Sequence, residues 1–470
     1  MPIATYQTLG LDDDDSGAPS FLSRHYPADA FSVIVIDECH RSAWGRWSEV
    51  LRRNPGAIHI GLTATPRQLR DSSRSNTDDA SITANNLHYF GEPVYEYTLI
   101  EAQEDGYLSA CEIVQLKPSI DWASFSRAQV LAQGVLDART GRYLTADELK
   151  PSYVAESIDR DLLMPVRINA MCDDLFKRLC AHGGPEQKVI IFCTRDAHAD
   201  RVVQRLQNNY AALCQAEGRT PKDHYAFKCT DQGGADWLPS LRGSSERCFI
   251  ACTVDLLATG VDIERLNAVV FFRYLSSAIL FYQMVGRGTR IDEPTHKYKF
   301  WLYDYTGVTA LFGTDFLTAT PVPRKKKSDD SGDGGDGGDD RDDDDSDAPP
   351  LPELRGGQPV LTLPQGRFIL QRVQGRDVRT PVDEYRQAMV ARVLSEAATL
   401  HDFRGLWVAA EKRRALVDHL LGEHYLPDTV RDLMDMVVFD QFDLFAHFGY
   451  REKALTRPER EAAYLGAHAH

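Results

Sequence analysis

The stretch Val33-Ile34-Val35-Ile36 constrains this chain more than any other. Four consecutive β-branched residues favour extended backbone, and an unbroken apolar run of this length predicts a parallel strand buried on both faces. Asp37 and Glu38 follow at once, then Cys39 and His40. In open α/β sheets ligands sit just beyond the carboxyl ends of the strands. Paired acids there can hold Mg²⁺ and orient a water for attack on phosphate. An ordinary strand with an acidic loop has the same local appearance, so the remainder of the chain decides between the two.

That remainder alternates strand and helix. Residues 1 to 105 read as a first α/β unit, with a strand end at 3 to 8, the strand ending at Asp37, and a third strand over 57 to 62 that runs into Thr63-Ala64-Thr65-Pro66. Residues 67 to 86 read as a polar surface loop. A short helix before Leu108 and a strand over 111 to 116 open a connector spanning 106 to 152. A second α/β unit over 153 to 312 has Lys188-Val-Ile-Ile-Phe-Cys193 as a buried strand. Further strands are expected at 248 to 252, 268 to 272 and 298 to 303, and the alternation implies another parallel sheet. Gln283-Met-Val-Gly286-Arg287-Gly-Thr-Arg290 lies between the last two.

Residues 324 to 357 carry almost nothing apolar and read as a disordered acidic linker. Beyond it, 360 to 373 reads as two short strands. Thr380 is then expected to cap a helix whose first residue is Pro381, with Met389, Val390, Val393, Leu394 and Ala397 at core spacing. Helices are also expected over 409 to 421 and 428 to 448, the latter capped by Asp428, giving a helical domain over 358 to 470.

The formal charge of −16 seems to exclude a nucleic-acid partner. Residues 328 to 347 hold eleven Asp against one Arg, a local −10, which leaves −6 for everything else. Binding depends on local grooves, so a mildly acidic body excludes nothing. No run is long enough to span a bilayer, and a cytoplasmic protein without a membrane partner is expected. The nine cysteines contain no Cys-x-x-Cys pair and read as free buried thiols.

Asp37-Glu38-Cys39-His40, Thr63-Ala64-Thr65 and Gln283-x-x-Gly286-Arg287-x-x-Arg290, in this order, resemble the motifs of superfamily 2 helicases and translocases. With Val254 to Asp262 and the Arg413-to-Leu421 and Asp432-to-Tyr450 stretches, the chain is similar to the motor (R) subunit of type I restriction enzymes. The resemblance implies an α/β fold of tandem RecA-like parallel-sheet motor domains, the first incomplete, followed by an α-helical C-terminal assembly domain. It also implies ATP and Mg²⁺, with double-stranded DNA and the modification and specificity subunits as partners.

By the same resemblance Asp37 holds Mg²⁺ through its water shell, Glu38 orients or deprotonates the attacking water, and His40 links the site to the second domain. Gln283, Arg287 and Arg290 act from that second domain, and two arginines three residues apart share a face if their segment is helical. Gly260 and Asp262 approach the nucleotide. Thr5, Thr194, Arg195 and Thr253 contact the DNA backbone, which positions a strand without reading its sequence. Thr63 and Thr65 transmit nucleotide state.

A triphosphate site of this class also needs a Gly-rich loop ending in Lys-Thr or Lys-Ser, and the chain contains no Gly-Lys dipeptide. The expectation is an N-terminally truncated motor without nuclease domain or phosphate loop, which a separate upstream polypeptide would have to complete. The alternatives are a catalytically dead remnant that binds DNA or docks on other subunits, and a mis-started gene product.

Overall fold

The computed structural model describes residues 3, 25–39, 48–63, 89–91, 93–122, 125–153, 160–258, 261–275, 277–311, 360, 362–373, 376–421, 431, 436 and 438–467. The expectations placed on Thr5, His40, Thr65, the 67-to-86 loop, Gly260, the acidic linker and Asp428 lie outside these residues.

The first unit is built on two parallel strands, β1 (Val33–Ile36) and β2 (Ile58–Gly61), paired from Val33 opposite Ile58 to Ile36 opposite Gly61. Ile36, Cys39 and Leu51 form its buried core, with Ile34 and Phe90 packed against them. The expectation that β1 is buried on both faces is not met: Val33 is 48% and Val35 56% exposed. The period of two explains this, because alternate residues face opposite sides and only the Ile34/Ile36 side has a cover among the described residues.

The large sheet follows. Its strands are β3 (Ala110–Pro118), β4 (Lys188–Phe192), β5 (Ala226–Lys228), β6 (Ile250–Thr253), β7 (Leu266–Phe271), β8 (Lys299–Asp304), β9 (Thr362–Val373) and β10 (Arg376–Pro381). Their order is β10-β9-β3-β8-β7-β4-β6-β5. From β3 to β5 every pair is parallel, and β9 and β10 are antiparallel additions at one edge. Helices α1 (Pro165–Ala181), α2 (Asp196–Ala216) and α3 (Ala278–Val285) cover the sheet.

Strand β4 shows why this sequence makes a two-sided sheet. Val189 and Ile191 pack with Ile168, Met171 and Leu175 of α1 and Val202 and Leu206 of α2. Ile190 and Phe192 face the other way, onto Phe281, Met284 and Val285. A strand read by both layers has to be apolar at every position, as this one is. Arg167 of α1, fully buried, makes a bidentate pair with Asp121 at 2.7 and 2.8 Å, and the Tyr274 hydroxyl donates to the same carboxylate at 3.0 Å. This joins the 106-to-152 stretch to α1 and to the end of β7.

Two expectations for the C-terminal part change. The segment after the linker does not begin a free-standing helical tail. Strand β9 pairs with β3 from Thr362 opposite Pro118 to Ile369 opposite Glu112, so it continues the large sheet. Glu112, 1% exposed, accepts from Arg367 of β9 at 2.7 Å and lies 3.7 Å from the Lys299 ammonium. The helix start also shifts, because Thr380 remains in β10 opposite Ile369 and the helix α4 (Val382–Glu396) begins after Pro381. Pairing on the sheet claims the backbone that a Thr cap would need. Helices α5 (Leu400–Val408), α6 (Ala410–Leu421), α7 (Gln441–Tyr450) and α8 (Arg457–Ala467) complete the unit. The expected 428-to-448 helix is represented by α7, which starts at Gln441 because Asp440 caps it through the Asp443 amide.

Every cysteine is free, and all but Cys180 are buried. No described helix is long and apolar enough to cross a membrane.

Candidate functional site

At the end of β1 the chain turns sharply. Glu38 has φ +51°, a left-handed conformation that costs a non-glycine residue about 1 kcal/mol or more and that clusters at functional sites. Its amide donates to Asp37 Oδ1 at 2.9 Å, and the Cys39 amide donates to the Leu62 carbonyl at 2.9 Å. The β1 and β2 ends are thereby tied together. Gly61 permits this: a β-carbon there would stand 2.9 Å from Cys39 Sγ. Burial, reinforced by Glu38 and Asp37, pushes the Cys39 thiol up to about 11, so it is inert at neutral pH. Asp37 is exposed, Glu38 half-buried, and Thr63 exposed.

Gln283 is buried in α3, which ends at Val285 with Gly286 as its cap. The shared helical face expected for Arg287 and Arg290 is therefore replaced by a turn. Gly288 sits where any β-carbon would collide with the Phe300 ring, so the chain leaves the helix and passes close over β8. Arg287 Nη1 donates to the Val261 carbonyl at 2.5 Å and its Nε to the Gln283 carbonyl at 3.2 Å. Arg290 Nε lies 3.2 Å from Asp262 Oδ1. Burial draws the Arg287 guanidinium below its ordinary value, while the Glu38 carboxylate, and then Asp262, act in the opposite direction. Glu38 of the first sheet thus lies within electrostatic reach of Arg287 of the second unit. The structure brings together Asp37, Glu38, Asp262, Gln283, Arg287 and Arg290.

Two residues that no motif marked hold the arginine turn. Lys297 is 4% exposed, and its ammonium donates to the Gly288 carbonyl at 2.5 Å and to that of Arg290. Burial pushes it down to about 7, with Asp292 and Cys111 opposing. Ser109, from the other side, donates its hydroxyl to the Arg290 carbonyl and its amide to that of Thr289, each at 2.6 Å. Orphan carbonyls past a helix end need such partners, and here they fix the backbone that carries both arginines. A lysine two residues before an apolar strand was the available signal.

Thr194, Arg195 and Thr253 stand apart from these carboxylates, at the carboxyl ends of β4 and β6. The Cys193 amide donates to the Thr253 carbonyl at 2.7 Å, so the two threonines are neighbours. Arg195 is exposed and forms the N-cap position of α2.

Among the described residues no group of three or more His, Cys, Asp or Glu side chains is arranged to enclose a metal. One exposed carboxylate with an oxygen to spare suits Mg²⁺, which keeps most of its water shell and needs few protein ligands.

Comparison with known proteins agrees with this arrangement. Residues 1–68 match the family model "Type III restriction enzyme, res subunit", and residues 170–292 match "Helicase conserved C-terminal domain". The chain is 28% identical over 500 residues to the type I restriction enzyme EcoAI endonuclease subunit of Escherichia coli, covering 97% of this chain and 57% of that one. It is 29% identical over 351 residues to the EcoKI endonuclease subunit of Escherichia coli K12, covering 64% and 26%. It thus spans just over half of the first relative and about a quarter of the second. Among solved structures, a fragment assigned to the HsdR subunit of a type I restriction enzyme from Vibrio vulnificus YJ016 aligns at 26% identity and TM-score 0.45, covering 63% of this chain and 48% of that one. The chain carries a type III restriction enzyme res-subunit domain and a helicase conserved C-terminal domain, and it is homologous to the endonuclease subunits of type I restriction enzymes.

Proposed function

We propose that this chain is the motor portion of an ATP-dependent translocase on double-stranded DNA that works with modification and specificity subunits. The observation that carries the reading is the electrostatic approach of Glu38 to the half-buried Arg287. A carboxylate that activates water and a guanidinium that neutralises charge on the transferred phosphoryl group are the two halves of a nucleoside-triphosphate hydrolysis site. Asp37 would hold a hydrated Mg²⁺, which when bound would supply positive charge to offset that of the phosphates.

Each side chain has its own task. Glu38 accepts a proton from, or orients, the attacking water, and Asp37 provides the carboxylate for the hydrated metal. Arg287 is held for the present by two carbonyls and Arg290 by Asp262, contacts they can exchange for phosphate oxygens. Such an exchange would make closure of the two units depend on nucleotide. Thr63 lies where β2 ends beside Glu38 and Cys39, a place from which it could relay that change. Thr194, Arg195 and Thr253 supply backbone contacts to DNA, with Thr5, His40, Thr65 and Gly260 assigned by motif position alone.

We further propose that a Gly-rich phosphate loop is the one element the site needs from outside these residues, which contain no Gly-Lys dipeptide, and the assay supplies it on a second polypeptide. Mixed with such a polypeptide and duplex DNA, the chain is expected to hydrolyse ATP at a rate that rises on adding DNA. A DNA-independent rate would count against a motor, and no hydrolysis at all would favour a catalytically dead docking protein, whose helical unit would still bind the modification complex.

A further inference from the structure

The helical unit holds a cavity of about 660 Å³ between α5, α6 and the start of α7. The sequence of α6 shows how it arises. Leu416 and Leu420 pack inward with Phe403 and Phe445. Ala410, Arg413, Arg414 and Val417 recur at intervals of three and four residues, so they share a second face, and all four line the cavity. Trp407 of α5 lines it as well, its ring held 5.6 Å from those of Phe403 and Phe442.

The charges around this cavity do not balance. Arg413, Arg414 and Arg431 meet a single acid among the described residues, Asp440. That acid is committed elsewhere, because it caps α7 through the Asp443 amide and holds Arg460 at 2.5 Å. Arg413 and Arg414 are exposed, and neither has an ion pair or a side-chain hydrogen bond among the described residues. Cations gathered on one concave surface repel one another and focus their field, so the cavity suits an anion of several charges.

The same chain carries such an anion. Residues 328–347, outside the described residues, hold eleven Asp against one Arg, and Pro349 and Pro350 follow shortly after. Proline-containing segments lie well against aromatic rings, which Trp407 provides beside the arginines. Thr362, where β9 begins, comes fifteen residues after Asp347, and a stretch of that length spans at most about 50 Å. The longest described helix of the unit, α4, has 15 residues and is about 22 Å long. The tether is long enough to reach across the unit.

We propose that this cavity seats the chain's own aspartate-rich segment, with Arg413 and Arg414 as the residues that hold it. The proposal concerns the helical unit alone and does not depend on the motor reading. Exposed ion pairs are individually weak, but a tether of this kind supplies an effective concentration on the order of 1 mM. A segment that binds at about 0.1 mM as a free peptide then fills the cavity in roughly nine chains of ten. Any acidic segment from another protein has to compete with it.

The test is the binding of a fluorescein-labelled peptide copy of residues 328–352 to the full chain, followed by anisotropy. The parent, with its cavity filled, is expected to bind the peptide weakly. A chain whose eleven aspartates at 328–347 are changed to Asn is expected to bind it about tenfold more tightly. Adding Arg413→Gln and Arg414→Gln to that chain should abolish the gain, and so should salt at about 1 M, where screening acts within about 3 Å. Arg457→Gln, in an exposed pair on α8, should leave the gain intact. Equal binding by the parent and the Asn chain overturns the proposal, as does a gain that survives the loss of both arginines. If the two arginines instead govern affinity for duplex DNA or for the modification complex, while no chain binds the peptide, the cavity belongs to that partner and the proposal falls.

Discussion

Arg287→Ala is expected to lower DNA-stimulated ATP hydrolysis by about a thousandfold or more in the completed motor, while leaving the melting temperature almost unchanged. An arginine that neutralises charge on a transferred phosphoryl group is worth roughly 10³ to 10⁵ in rate. The contacts of Arg287 favour that role over a structural one. Its two hydrogen bonds go to the carbonyls of Val261 and Gln283, both on its own unit. The turn it sits on is held independently by Lys297 and Ser109 through the carbonyls of residues 288 to 290. Alanine therefore removes the guanidinium without releasing the turn. A large drop in stability with unchanged hydrolysis per folded molecule would assign Arg287 to packing.

Removal of residues 358–470 is expected to turn the second motor unit into an aggregating protein. Such a deletion would ordinarily be designed as a clean cut after the linker. Here it strips β9 from β3 and leaves a nine-residue strand edge open, with unpaired amides and carbonyls in an apolar setting. It also takes Arg367 from Glu112, a carboxylate 1% exposed that lies 3.7 Å from the Lys299 ammonium. Breaking a buried pair from one side costs about 3–5 kcal/mol, a large part of a domain's stability. Ala110 of β3 and Ile369 of β9 further share a core with Val382, Tyr385 and Met389 of α4. Sedimentation and thermal melting of residues 1–312 against the full chain would decide it. A soluble fragment that unfolds cooperatively at the parental temperature would show that β9 is dispensable.

How the sequence conveyed these features depended on whether the information was local. The β4 run, apolar at every position, and the Asp37-Glu38 pair after β1 were legible because strand period and strand-end chemistry are written in adjacent residues. The arginine pair was legible as a motif, but its conformation was not. That Arg287 lies in a turn follows from Gly288 meeting Phe300, a contact across twelve positions that no helical pattern encodes.

The assignment of β9 to a separate tail failed for the same reason. A linker of many aspartates reads as a domain boundary, yet β9 returns past it to pair with a strand about 250 residues earlier. The exposure of Val33 and Val35 could not be read either, because burial on the second face depends on a cover and not on the strand.

The central claim is that Glu38 and Arg287, from different units, act on one nucleotide. The most direct measurement is a double-mutant cycle on DNA-stimulated ATP hydrolysis, with Glu38→Gln, Arg287→Ala and the two combined in the completed motor. Residues that act as one device are grossly non-additive. The account predicts that the double variant is hardly slower than the slower single one. Losses that simply add would mean that the two residues work independently, and would contradict it.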